Sequence, residues 1–328
     1  MNKPISRRDF LKVSGVLTAG LPLFHQSSLT SAGFTNLTKD NKGKKRLRVA
    51  HITDIHYIPG DIWDVPQERF LKALADIHHL KPKVNVIFNT GDTIFDSLDS
   101  DMDWTQYQWD AFNQIMAAKC SLPVYHCIGN HDVWGWAYQN TDPTIVNDPL
   151  FGKAMAVQKL SLPGRYYSFD LGGWHFIMLD SMQPPEVEEP FTCYIGKLDE
   201  EQFEWLTQEL NAIQDKPICI LSHIPLLCAC EYYDGDNETP DYWKVPAAWM
   251  HIDSRRTRNL FLEHPNVKLC LSGHAHQQEE LSYLKVKYLN DGAICGAWWE
   301  GAYLDFPPGY VIIDLYDDGS CTSEFVVY

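Results

Sequence analysis

Five short segments of this chain concentrate residues that bind metals or move protons. They are Asp54-Ile55-His56, Gly91-Asp92, Gly129-Asn130-His131-Asp132, the single His223, and Gly273-His274-Ala275-His276. Taken singly, each is weak: Asp-x-His occurs in turns, Gly-Asp ends many strands, and an isolated histidine is more often a satisfied core residue than a ligand. Together they offer carboxylate, carboxamide and imidazole donors, which suit hard to borderline cations such as Mn, Fe or Zn. No thiolate accompanies them, which argues against a structural zinc site.

Placement makes the set specific. Each segment follows an apolar run that reads as a buried strand: residues 47–52 (LRVAHI), 84–88 (VNVIF), 123–128, 217–222 and 267–271. Helical spacing fills the first intervals, over Pro66–Leu80 and over Asp103–Ala118, the latter with Trp104, Tyr107, Ala111 and Ile115 on the expected buried face. Such a strand–helix alternation predicts an α/β fold with parallel strands joined by right-handed crossovers. In a parallel sheet the carboxyl ends share one edge, where open α/β folds place their ligands. Further along, Tyr166–Leu171 and Trp174–Leu179 flank Gly172-Gly173 as a hairpin. Helices are expected over 200–213 and 254–263. The last fifty residues read as antiparallel strands with a turn at Asp317-Asp318-Gly319. The irregular stretches 141–164 and 228–250 are long enough to shape a binding site.

Composition bounds the remaining possibilities. The 328 residues are 45% hydrophobic and 21% charged, with 27 Lys and Arg against 43 Asp and Glu, a net charge of −16. That is globular, and too acidic for a broad duplex-DNA footprint. Residues 1–32 read as an export signal. A basic start leads into an apolar run from Val13 to Phe24, too short for a stable membrane span, and then into small residues. Within it, Ser6-Arg7-Arg8-Asp9-Phe10-Leu11-Lys12 resembles the signature read by the twin-arginine export machinery. The expected organisation is a signal at 1–32, one domain over 33–328, and a periplasmic or otherwise exported product. Nine cysteines include no CxxC; Cys228-Ala229-Cys230 is the one close pair.

The ordered set of segments, spanning roughly residues 47–278, resembles the calcineurin-like metallophosphoesterase superfamily. The resemblance implies a four-layer αββα sandwich of two mixed sheets. It also implies two divalent or trivalent metal ions, with Asp54, His56 and His276 on the first, Asn130, His223 and His274 on the second, and Asp92 bridging. A bridging water would then be the nucleophile on a small-molecule phosphate ester. His131 would not ligate but would contact the phosphoryl group, as would Asn130, and protonate the leaving alkoxide. Phe95 stands where purple acid phosphatases carry a ligating Tyr. Asp96, one residue on, matches bacterial cyclic-nucleotide and glycerophosphodiester phosphodiesterases and would orient His131, which leans the expectation toward diesters. Phosphomonoester hydrolysis, or a non-catalytic binding module on the same fold, are the alternatives. Of the aromatics near these segments, Trp134 and Trp136 are expected to wall the substrate. Tyr232, Tyr233, Trp298 and Trp299 also lie close in sequence.

Overall fold

The computed structural model describes residues 43–186 and 193–328. The expected signal and its boundary at residue 33 lie outside them. The chain enters with β1 (Lys45–Ile52), then α1 (Asp64–His79), β2 (Val86–Asn89), α2 (Met102–Lys119) and β3 (Val124–His126). A short α3 (Ala154–Lys159) precedes the hairpin of β4 (Tyr167–Leu171) and β5 (Trp174–Met178). A two-stranded ribbon follows, β6 (Met182–Gln183) with β7 (Ile195–Gly196). Next come α4 (Glu200–Ala212), β8 (Ile218–Leu221), α5 (Ser254–Glu263), β9 (Val267–Ser272), β10 (Gln278–Tyr283), β11 (Val286–Asp291), β12 (Tyr310–Tyr316) and β13 (Cys321–Val326).

Two mixed sheets result, ordered β13-β12-β1-β2-β3 and β10-β11-β9-β8-β5-β4. The two-residue alternation of a strand explains how they stack. Leu47 and Val49 of β1 face Phe176, Leu221 and Leu269 in a core between the sheets. Ala50 and Ile52 point the other way, onto Phe70 and Leu74 of α1 and Trp109 and Phe112 of α2. The second sheet is built likewise, with Ile218 and Ile220 turned onto Leu206 and Leu210 of α4 and Leu260 of α5. The four layers are therefore helix, sheet, sheet, helix, as the resemblance implies. Among the described residues no helix is long and apolar enough to cross a membrane.

Two expectations need correction. The buried face of α2 is Thr105, Gln108, Trp109 and Phe112, while Tyr107 is exposed and donates its hydroxyl to Asp61. The C-terminal strands are not all antiparallel: β11 runs antiparallel to β10 but parallel to β9. His251 and His264 are buried, His251 beside the Asp253 carboxylate at 3.0 Å. All nine cysteines are unpaired thiols.

Candidate metal centre and active site

The parallel pairings of β1 with β2 and β2 with β3, and of β8 with β9, bring the ends of five strands to one edge. Backbone hydrogen bonds then lock the loops together. Asp54 N–H donates to the Gly91 carbonyl (3.0 Å), His56 N–H to Asp92 (2.9 Å) and Gly273 N–H to His223 (3.1 Å). His223 Nδ1 lies 3.0 Å from the Thr90 carbonyl, tying one sheet to the other. Asp132 accepts from the backbone N–H groups of Thr93 and Gly129 at 2.8 and 2.9 Å, clamping the third loop onto the second. The close approach excludes side chains at two glycines. A Cβ at Gly129 would sit 2.2 Å from Asp92 Oδ1, and one at Gly273 2.4 Å from Asp54 Oδ2. Asp54, His56, Asp92, His274 and His276 all adopt left-handed backbone, with φ between 43° and 70°. That conformation is costly for residues bearing a Cβ.

Two clusters form. In one, His56 Nε2 and His276 Nε2 face each other at 3.2 Å, and Asp54 Oδ1 lies 3.4 Å from His276 Nε2. In the other, His223 Nε2 lies 2.9 Å from Asn130 Oδ1 and 3.2 Å from His274 Nδ1. Asp92 Oδ2 lies between them, 3.5 Å from His56 and 3.3 Å from His223.

The donor set fits metal cations. Asp54 Oδ1 is buried without a hydrogen-bond partner. His56, His223 and His276 each turn Nδ1 to a backbone carbonyl, of Phe95, Thr90 and Gly296, which leaves Nε2 as the free lone pair. Burial, reinforced by neighbouring imidazoles, drives His56 and His274 down to about 3, so both are neutral, as ligands must be. Their partners His276 and His223 go the other way. Burial opposes their charge, but Cys295 and Asp54 around His276, and Asp92 beside His223, outweigh it. Asp54 is held at about 2, because His276 overcomes the effect of burial. Buried carboxylate oxygens and imidazole nitrogens thus converge in each cluster, the donor types a divalent cation takes.

His131 lies beside the first cluster, with ligand-capable atoms of His56, Asp92 and His131 within 4.8 Å of one another. Its N–H donates to Asp92 Oδ1 (2.8 Å) and its carbonyl accepts from Ser97 N–H and Oγ, so its backbone is fixed. Its ring meets His56 edge-on at 4.6 Å, and Nδ1 lies 3.4 Å from Asp96 Oδ1, an ion-pair distance rather than a well-formed hydrogen bond. Asp96 is itself held by Leu98 N–H and the Ser100 hydroxyl. A cavity of about 270 Å³ opens over His56, Asp92, Asn130, His131, His274 and His276.

The calcineurin-like phosphoesterase family model matches residues 47–278, well over half of the chain. The chain belongs to that family. Among curated relatives, it is 26% identical to the 3′,5′-cyclic-nucleotide phosphodiesterase alr5338 of Nostoc over 293 residues, covering 86% of this chain and 92% of that protein. It is 24% identical to the 3′,5′-cyclic adenosine monophosphate phosphodiesterase CpdA of Escherichia coli K12, covering 88% and 92%. A dimetal phosphatase from Danio rerio shares the fold, with a TM-score of 0.59 at 15% identity over 86% of this chain and 96% of that one. This calcineurin-like phosphoesterase is therefore a phosphoric ester hydrolase, and its family is metal-dependent.

Not every expected residue reaches the phosphoesterase site. Trp134 and Trp136 do not line the cavity. Trp134 is 1% exposed in the core and donates Nε1–H to the Ser100 carbonyl (3.0 Å); Trp136 is buried under the Lys153 ammonium. The physical reason is local: Gly135 takes φ +85° and Trp134 bridges to Gly152, which folds the segment inward. Tyr233 points to solvent, and Trp243 packs edge-on to both Tyr232 and Tyr233. The aromatic walls are instead Tyr194, Trp249, Trp298 and Tyr303, and two carboxylates, Glu231 and Asp234, join them. Trp299, next to Trp298, is buried and donates Nε1–H to the His56 carbonyl (3.0 Å).

Proposed function

We propose that the protein is a dinuclear metallophosphodiesterase, with cyclic nucleotides the first substrates to try. The observation that carries it is the position of Asp92 Oδ2 between His56 and His223, one carboxylate oxygen shared by two imidazole clusters. Asp54, His56 and His276 would hold one cation, Asn130, His223 and His274 the other, and Asp92 would bridge. Mn, Fe or Zn bound there would supply Lewis-acid polarisation of the ester and acidify water. The protein's own part is positioning and proton transfer. Burial disfavours the charge of His131, but the Asp92 carboxylate and Asp96 outweigh it and raise the ring to about 9. With cations on Asp92, Asp96 remains to favour the protonated ring, and His131 lines the cavity, where a departing alkoxide would need a proton. Asp96 would orient the ring by its charge, 3.4 Å from Nδ1.

The lean to diesters rests on the names of the relatives and on Asp96. The test is metal-reconstituted protein assayed against matched mono- and diesters, cyclic AMP included. Diesters should turn over faster; a preference for monoesters would favour the phosphatase reading, and no turnover with any metal the non-catalytic one.

We also propose export through the twin-arginine pathway to the periplasm, on the strength of Arg7-Arg8 before the apolar run. Changing both arginines to lysine should leave precursor in the cytoplasm, as read by immunoblots of cell fractions. Unchanged export of the double variant would defeat the assignment.

A further inference from the structure

The cavity lining has two chemically different parts. One is the set of His56, Asp92, Asn130, His131, His274 and His276, which receives the phosphate on the reading proposed above. The other is acidic and aromatic, and no Lys or Arg lines the cavity among the described residues.

In that second part, whose Trp298 and Tyr303 rings pack against His276, Glu231 is 1% exposed, and its Oε1 is buried without a hydrogen-bond partner. The turn that carries it is fixed, because Asn237 Nδ2 donates to its carbonyl at 2.7 Å. Asp234 accepts the Tyr303 hydroxyl at 3.0 Å. Tyr303 meets Trp298 edge-on at 5.8 Å, and Trp249 extends the same wall. A buried, unpartnered carboxylate oxygen is costly unless something else completes it. Nothing in the catalytic roles above uses Glu231. A ligand N–H or O–H entering the cavity would satisfy it. Burial, with Cys230 and Asp234 nearby, raises the Glu231 carboxyl to about 9, so a cationic donor would favour its ionised form; aromatic faces add attraction for that donor, and a second anionic group would meet Asp234.

We infer that Glu231 and Asp234, with Tyr303 and Trp298 beside them, select phosphate esters whose organic group presents hydroxyl or amino donors and carries no negative charge. The inference rests on the phosphoesterase reading only for which part takes the phosphate.

Equilibrium binding tests it without turnover. Aminopropyl, hydroxypropyl, propyl and carboxyethyl phosphate would be titrated calorimetrically into the metal-loaded protein. Both donor-bearing esters should bind about tenfold more tightly than propyl phosphate, as expected when a buried, unpartnered oxygen gains its hydrogen bond. Carboxyethyl phosphate should bind most weakly. Glu231→Gln, close in shape, should remove the extra preference for the ammonium and keep that for the hydroxyl. Glu231→Ala should remove both. Equal binding of propyl and donor-bearing esters by the unaltered protein would overturn the inference, as would an unchanged ranking in both variants or no binding of any probe. Failure of the hydrolase reading would show separately, as no cleavage of bis(p-nitrophenyl) phosphate while the ranking persists.

Discussion

Asp92→Asn should cut turnover by several orders of magnitude and lower the metal content of the purified protein. Oδ2 of this residue is the one carboxylate oxygen within 3.5 Å of both imidazole clusters. Two cations held close together need a shared anion, and a carboxamide removes that charge. The native carboxylate is stabilised well below its ordinary range: burial opposes ionisation, but the His223 and His131 charges prevail. The substitution also disturbs Oδ1, which accepts the His131 N–H at 2.8 Å. Metal analysis beside an activity assay is the measurement. Two tightly held metals with near-normal turnover would rule out the bridge.

His131→Ala should behave differently, keeping close to native metal content while turnover falls roughly 10²–10⁴-fold, the usual worth of a positioned acid. The fold should tolerate it, because the bonds that fix this residue to Ser97 and Asp92 are made by its backbone. The leaving group discriminates the role. Nitrophenolate departs without a proton, so nitrophenyl esters should lose less than alkyl esters. Equal losses for both would leave His131 with phosphoryl-oxygen stabilisation alone. Loss of metal would make it a ligand and undo the assignment of the second cluster.

The candidate ligands were legible in the sequence because each stands within a few residues of the end of an apolar strand, so one-dimensional spacing carries their three-dimensional convergence. Residues that depend on irregular backbone were not. Trp134 and Trp136 follow the Asn-His motif closely, yet a positive-φ glycine and a bridge to Gly152 turn them into the core. Trp298 and Trp299 are adjacent and chemically identical; only the local turn sends one to the cavity and the other to the His56 carbonyl. Glu231 and Asp234 sit in a stretch with no periodicity, and the one local clue was an irregular segment following a ligand histidine. On α2 the aromatics Trp104, Tyr107 and Trp109 compete for the apolar face, and packing against α1 decides for Trp109. The placement of β11 beside β9 is a non-local pairing that alternation along the chain cannot encode.

The left-handed backbone at Asp54, His56, Asp92, His274 and His276 has an evolutionary corollary. At each of these positions the left-handed geometry costs a side-chain-bearing residue roughly 1–2 kcal/mol; at Asp54 and Asp92 hydrogen bonds from backbone N–H groups offset it, whereas at His274 glycine would avoid it. Discarding that ligand therefore relaxes the scaffold. Metal-free His274→Gly protein should melt no lower than metal-free parent in a calorimetric scan; a clear drop would contradict this. A lineage released from selection for turnover could shed its ligands one after another without unfolding, and inert, well-folded descendants would be the expected fate of duplicated copies.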